Sequence, residues 1–151
     1  MDLRRAQPKD ALPIASLLDE PGYRATGESI AAKLAMLQTG TDDGVLIAVN
    51  CGRVSGCISL HAVLLFHASG KLGRITSFVV APHARGRRVG AAMLDAARCW
   101  FEGAGCEKFE VTSGDRRAGA HRFDESRTCR RDGQRILRGP ASRFRLPPSG
   151  V

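Results

Sequence analysis

Residues 75–94 constrain the fold more than any other stretch. Ile75-Thr76-Ser77-Phe78-Val79-Val80 is rich in β-branched and aromatic residues, as strands prefer. Pro82 has no amide hydrogen to give a sheet ladder, so the strand should stop there. Arg85-Gly86-Arg87-Arg88 then forms a basic turn. From Val89 the apolar positions Val89, Ala92, Met93, Ala96, Ala97 and Trp100 recur at i, i+3, i+4, i+7, i+8 and i+11, one face of an α-helix. Asp95, Arg98 and Glu102 fall on the other face.

The turn carries the chemistry. A helix start leaves backbone N–H groups unpaired and bears a partial positive charge. Gly86 and Gly90 let the backbone approach a ligand closely. Arg85, Arg87 and Arg88 add three fixed charges with forked donors. Together these suit a phosphate or pyrophosphate. Taken alone, the same residues also describe a solvated basic turn that binds nothing in particular.

The spacing Val80-x-Pro82-x-x-Arg85-Gly86-x-Arg88-Val89-Gly90-x-x-x-Leu94 resembles the acyl-CoA signature of the GNAT superfamily of N-acyltransferases, Arg/Gln-x-x-Gly-x-Gly/Ala between a strand and a helix. Arg85 fills its first position and Gly90 its last. Arg88 stands where the central glycine is usual and keeps the positive charge. The resemblance implies an α/β (α+β) GNAT fold: a central mixed, mostly antiparallel sheet of six to seven strands with four helices. It also implies that Phe78, Val79, Val80, Arg85, Gly86, Arg87, Arg88, Val89, Gly90 and Ala91 hold acetyl-CoA as co-substrate.

The 151 residues allow one domain with one core, expected over 1–146 with a tail at 147–151. No apolar run approaches the ~18 residues of a membrane span, and the first residues do not read as a secretory signal. Cys51, Cys57, Cys99, Cys106 and Cys129 are odd in number and lack Cys-x-x-Cys spacing. They read as free thiols in a reducing cytosol, so a cytoplasmic location and no metal are expected. The net charge of +8 is lopsided: residues 1–84 hold 8 basic against 7 acidic side chains, and 85–151 hold 15 against 8. A basic half fits nucleic acid or a polyanionic cofactor. No aromatic platform or helix-turn-helix pattern is visible, and the three phosphates of coenzyme A match the second alternative.

Residues 2–6 read as a strand. A first helix carries Leu12, Ile14, Ala15, Leu17 and Leu18, broken by Pro21-Gly22. Thr26-x-x-Ser29 precedes a second helix with Ile30, Ala31, Leu34 and Leu37, closed by Gly40. The resemblance makes this helix pair part of the acceptor wall and Tyr23, in the loop between them, a candidate substrate contact. An anchored loop aromatic is the plainer reading. Val45–Val49 and Arg53–His61 flank Asn50-Cys51-Gly52 as a hairpin. A second turn is expected around Ser69-Gly70.

Phe109–Thr112 reads as the strand after the basic-turn helix. In the superfamily this strand splays from the Ile75–Val80 strand, and pantetheine lies between them. A last helix is expected over Arg116–Arg127. Its Ala120-His121-x-Phe123-Asp124-Glu125-Ser126 resembles the family's closing motif, with Asp124 where the tyrosine acid usually stands and Thr128-Cys129 replacing Gly-Phe. Asp124 is the candidate catalytic residue, although an ionised carboxylate would repel a departing thiolate. The expected activity is acetyl transfer from acetyl-CoA to a primary amine of a small molecule or peptide by direct attack. The alternative is a GNAT-fold acyl-CoA-binding module with little turnover. No membrane or nucleic-acid partner is expected, and a homodimer is compatible. Thr76 and Ser77 occupy the stretch where many relatives place a glutamate base, and neither is a competent base. His61 and His67 have suitable chemistry, but sequence alone does not locate them.

Overall fold

The computed structural model describes residues 1–20, 22–112, 130–131 and 136–140. Strand β1 (Asp2–Arg5) leads through a 3-10 turn (Pro8–Asp10) into α1 (Ala11–Asp19) and α2 (Gly27–Leu37). Three long strands follow: β2 (Asp43–Asn50), β3 (Arg53–Leu64) and β4 (Lys71–Val80). A 3-10 turn (Pro82–Ala84), α3 (Val89–Gly103) and β5 (Cys106–Thr112) complete the core of the unit. Short segments β6 (Arg130–Arg131) and β7 (Ile136–Pro140) extend the sheet, whose order is β1-β2-β3-β4-β5-β7-β6. Only β4 and β5 run parallel; every other neighbouring pair is antiparallel.

The mixed sheet with helices on both faces is the fold the resemblance implied. Against the expected six to seven strands with four helices, residues 2–112 carry five strands and three α-helices, and the short β6 and β7 bring the described sheet to seven strands. The fourth helix, expected over Arg116–Arg127, lies outside the described residues, as do Asp124 and Thr128-Cys129.

Local chemistry explains most of the elements. Thr26 caps α2 by accepting from the Ser29 amide at 3.1 Å. Cys51 (φ 49°) and Gly52 (φ 75°) both take left-handed angles, the geometry of a two-residue hairpin turn whose twist matches the flanking strands. Asp10 is buried and fixes the N-terminal corner. Arg4 donates to both of its carboxylate oxygens at 2.8 and 2.9 Å, and the Gln7 amide donates at 2.8 Å. These bonds hold the Asp10 carboxyl below the usual carboxylate range, against the opposing effect of burial.

Strand register assigns the two faces of the sheet. Paired antiparallel residues share a face. Gly44, Gly56 and Gly73 look onto α3, because a β-carbon there would meet Trp100, Met93 and Phe101 respectively. Ile58, Leu60, Ile75, Phe78 and Val80 belong to that face by register. The opposite face carries Ile47, Cys57 and Val79, buried in the same continuous core as Ile14, Leu17 and Leu18 of α1.

The α3 stripe needs one correction. The buried residues are Val89, Ala91, Met93, Leu94, Ala97, Arg98 and Phe101, a face rotated from the predicted one. Trp100 and Ala92 sit at its margin. Arg98 is buried because its stem lies along the helix while its guanidinium donates to Asp95 (3.0 and 3.2 Å) and Glu102 (2.9 Å).

Candidate functional site: the end of a central strand and a basic helix start

Strand β4 pairs with β3 along its whole length, from Lys71 to Val80. Among the described residues β4 pairs with β5 from Lys71 to Ile75, the last pair being Ile75 opposite Val111. The splay expected between these strands falls on β5 positions after Thr112, which lie outside the described residues.

A bulge follows the last β4–β5 pair. Ser77 opposes Ser59 and Ile75 opposes Leu60, so Thr76 is the extra residue of β4. A bulge bends a strand and re-aims its side chains. Here the Ser77 amide donates to Ser59 Oγ at 2.9 Å.

At the C-terminal end of β4 the chain makes a tight turn. The Ala84 amide donates to Ala81 at 2.9 Å, and the Arg87 amide donates to Ala84 at 3.3 Å. Gly86 has φ 75° and Arg88 φ 63°. Arg88 is the N-cap of α3 and no side chain caps the helix, so the first-turn amides of Val89, Gly90 and Ala91 remain available. Arg88 adopts the left-handed backbone that the glycine of the signature would have taken, at about 1–2 kcal/mol for a side-chain-bearing residue. The turn keeps its kink although the glycine is absent.

The three arginines are not equivalent. Arg85 turns back: its Nε donates to the Val80 carbonyl at 3.1 Å and its Nη2 donates to both oxygens of Glu20 at 2.8 and 3.1 Å. It thereby ties the turn to β4 and to the residue following α1. Arg87 and Arg88 are exposed at the helix start. A cleft of about 480 Å³ lies beside the latch, lined by Glu20, Arg53, Val54, Ala81 and Pro82 among others. Tyr23 sits in the loop after α1, half-exposed, with its amide donating to Leu18 at 3.1 Å.

Sequence reading missed two features. Glu20 gave no local signal, since its partner lies 65 positions away. The second is a polar chain on the face opposite α3. His61 Nδ1 is 2.8 Å from Asp43 Oδ1, and His61 Nε2 is 2.9 Å from Thr76 Oγ1. Ser59 Oγ is 2.7 Å from both Thr76 Oγ1 and Ser77 Oγ. Only the strand register brings these five residues together. Among the described residues no His, Cys, Asp and Glu cluster could hold a metal ion, and no helix is long and apolar enough to cross a membrane.

Comparison with known proteins agrees with this geometry. The model of the acetyltransferase (GNAT) family matches residues 13–126. An aminoalkylphosphonate N-acetyltransferase of Salmonella typhimurium is 32% identical over 129 residues, covering 81% of this chain and 80% of its own. Among solved structures, a GNAT-family acetyltransferase from Streptococcus pneumoniae superposes with a TM-score of 0.75 at 16% identity, over 92% of this chain and 98% of its own. Glucosamine-6-phosphate N-acetyltransferase from Arabidopsis thaliana gives 0.71 at 19% identity, over 83% and 88%. A basic helix start directly after a strand, a family match over most of the length and a curated relative at this identity lead to one conclusion: the chain belongs to the GNAT acetyltransferase family.

Proposed function

We propose that this protein transfers an acetyl group from acetyl-CoA to a primary amine by direct attack of the amine on the thioester. The observation that carries this reading is the uncapped, arginine-flanked start of α3 directly after β4. The site residues fit such a co-substrate chemically. Exposed guanidinium groups of Arg87 and Arg88 and the first-turn amides suit a pyrophosphate. On the family likeness, β4 at Phe78–Val80 would run along the pantetheine arm.

Bound acetyl-CoA would supply an acyl group activated as a thioester. The chain's own residues then have three tasks. The start of α3 and Arg87–Arg88 hold the phosphates. The β4 backbone near Val80 orients the arm and donates to the oxygen on which charge develops. Arg85 keeps the turn docked on β4 through the Val80 carbonyl.

For the acceptor, we infer a small amine that carries an acidic group. The support is the 32% identical relative, whose name specifies an aminoalkylphosphonate. Titration calorimetry with acetyl-CoA, followed by thiol-release assays on aminoalkylphosphonates and uncharged amines, tests the reading. Binding together with thiol release is the expected result. Binding without release from any amine would leave an acyl-CoA-binding module. Absence of binding would overturn the whole assignment.

A further inference from the structure

The polar chain across β2, β3 and β4 ends at the β4 bulge, and its hydrogen bonds have a consistent direction. Asp43 accepts, so the neutral imidazole of His61 carries its proton on Nδ1 and leaves Nε2 as an acceptor. Thr76 Oγ1, 2.9 Å away, then donates to Nε2. Ser59 Oγ donates to Thr76, and Ser77 Oγ donates to Ser59. The Ser77 amide also donates to Ser59 Oγ, which fixes that hydroxyl on its acceptor side. Every proton points toward the carboxylate. Thr76 is the bulge residue and Ser77 the next one, both directly after Ile75, the last β4 residue paired with β5 among the described residues.

We propose that His61, oriented by Asp43, is the proton acceptor of the acetyl transfer, reached through the hydroxyls of Ser77, Ser59 and Thr76. This rests on the acetyltransferase reading above. An ammonium acceptor bound beside Ser77 breaks one N–H bond and gives the proton to Ser77 Oγ. Ser77 passes its own proton to Ser59, Ser59 to Thr76, and Thr76 to His61 Nε2, so each hydroxyl gains one proton and loses one. The freed nitrogen lone pair forms the C–N bond as the C–S bond breaks. The thiolate leaves with that electron pair and takes a second proton from the same nitrogen. His61, half-exposed, returns its proton to water.

No carboxylate takes this place on β4: Thr76 and Ser77 are hydroxyl residues, and the relay moves the base one strand away. The charged groups around His61 are Asp43 on β2 and Arg74, its register partner on β4, which pairs with Glu110 of β5 at 3.1 Å.

The test compares His61→Gln, Thr76→Val and Thr76→Ser with the wild type, using acetyl-CoA and a short aminoalkylphosphonate. His61→Gln should lower kcat by about 10²-fold, the usual range for a positioned base, with acetyl-CoA affinity unchanged. Its deficit should shrink for a weakly basic amine that is already neutral at the assay pH. Thr76→Val should lose at least about tenfold and Thr76→Ser should recover most of it. Nitrogen-15 spectra of the imidazole should show Nδ1 protonated and Nε2 bare. Wild-type rates in His61→Gln, a deficit independent of amine basicity, or the opposite tautomer would each overturn the relay alone. Failure of the wild type to release thiol with any amine would instead bring down the acetyltransferase reading, and the relay with it.

Discussion

Gly73 lies where β4 pairs with β5, and its replacement by alanine tests the packing that joins these strands to α3. A β-carbon there would sit 2.6 and 2.8 Å from Phe101 Cδ1 and Cε1, and 2.8 Å from Phe109 Cβ. Phe101 and Phe109 are fully buried and stacked with ring centroids 5.1 Å apart, and Trp100 meets Phe101 edge-on at 5.4 Å. A ring could rotate away, but Phe109 Cβ is fixed to the backbone of β5, so the strand itself must move. Overpacking of this kind costs about 1–3 kcal/mol. Against it stands the entropy that alanine saves in the unfolded chain, about 0.5–1 kcal/mol. The net is a loss of about 0–2.5 kcal/mol, which for a chain of this size lowers the melting temperature by about 2–4 °C per kcal/mol lost. Thermal and urea unfolding read it directly. A Gly73→Ala variant more stable than wild type would refute the claim that β4, β5 and α3 meet there without slack.

Three other outcomes are expected. Glu20→Gln should change stability by less than about 1 kcal/mol, because the pair with Arg85 is about half exposed. It should tighten acetyl-CoA binding about two- to fivefold by releasing Arg85, measured by calorimetry. Asp10 contributes stability that is fully present above its unfolded-state pKa near 4, because its folded pKa is depressed. That contribution should fade as pH drops through the lower folded value, and Asp10→Asn should flatten the acid side of a stability–pH curve. Burial pushes the Cys57 thiol up to about 12 and raises Cys106 as well, whereas Cys51 and Cys99 are exposed. Alkylation of the native protein at pH 8 should therefore mark Cys51 and Cys99 and spare Cys57 and Cys106, as peptide mapping would reveal.

Much of the frame is legible without coordinates because local rules decide it. Pro82 ends β4, Thr26 opens α2 and Asn50-Cys51-Gly52 turns a hairpin, each through one residue's backbone chemistry. The start of β4 at Lys71 is less visible, since Gly73 and Arg74 interrupt the apolar run; glycine is there to admit Phe101 rather than to break the strand. Arg98 reads as solvent-facing until its pairing with Asp95 and Glu102 is seen. The candidate site divides in the same way. The basic turn is contiguous and shows itself, while Glu20–Arg85 and Asp43–His61–Thr76 depend on register and on contacts 15 to 65 positions apart. No periodicity in the chain encodes those distances.

The single inserted residue at Thr76 has a consequence for the whole of β4. Gly73 and Ile75, odd-numbered, cover α3 at one end; Phe78 and Val80, even-numbered, face the same side at the other. Strict alternation could not keep both ends dry. Deleting Thr76 would reverse the phase downstream, moving Phe78 and Val80 to the face that α1 covers and driving Ser77 beneath α3. A relative whose strand is one residue shorter at this point would need a different set of apolar positions from 77 onward, which makes the placement of a gap here a physical statement about which side of the sheet each side chain occupies.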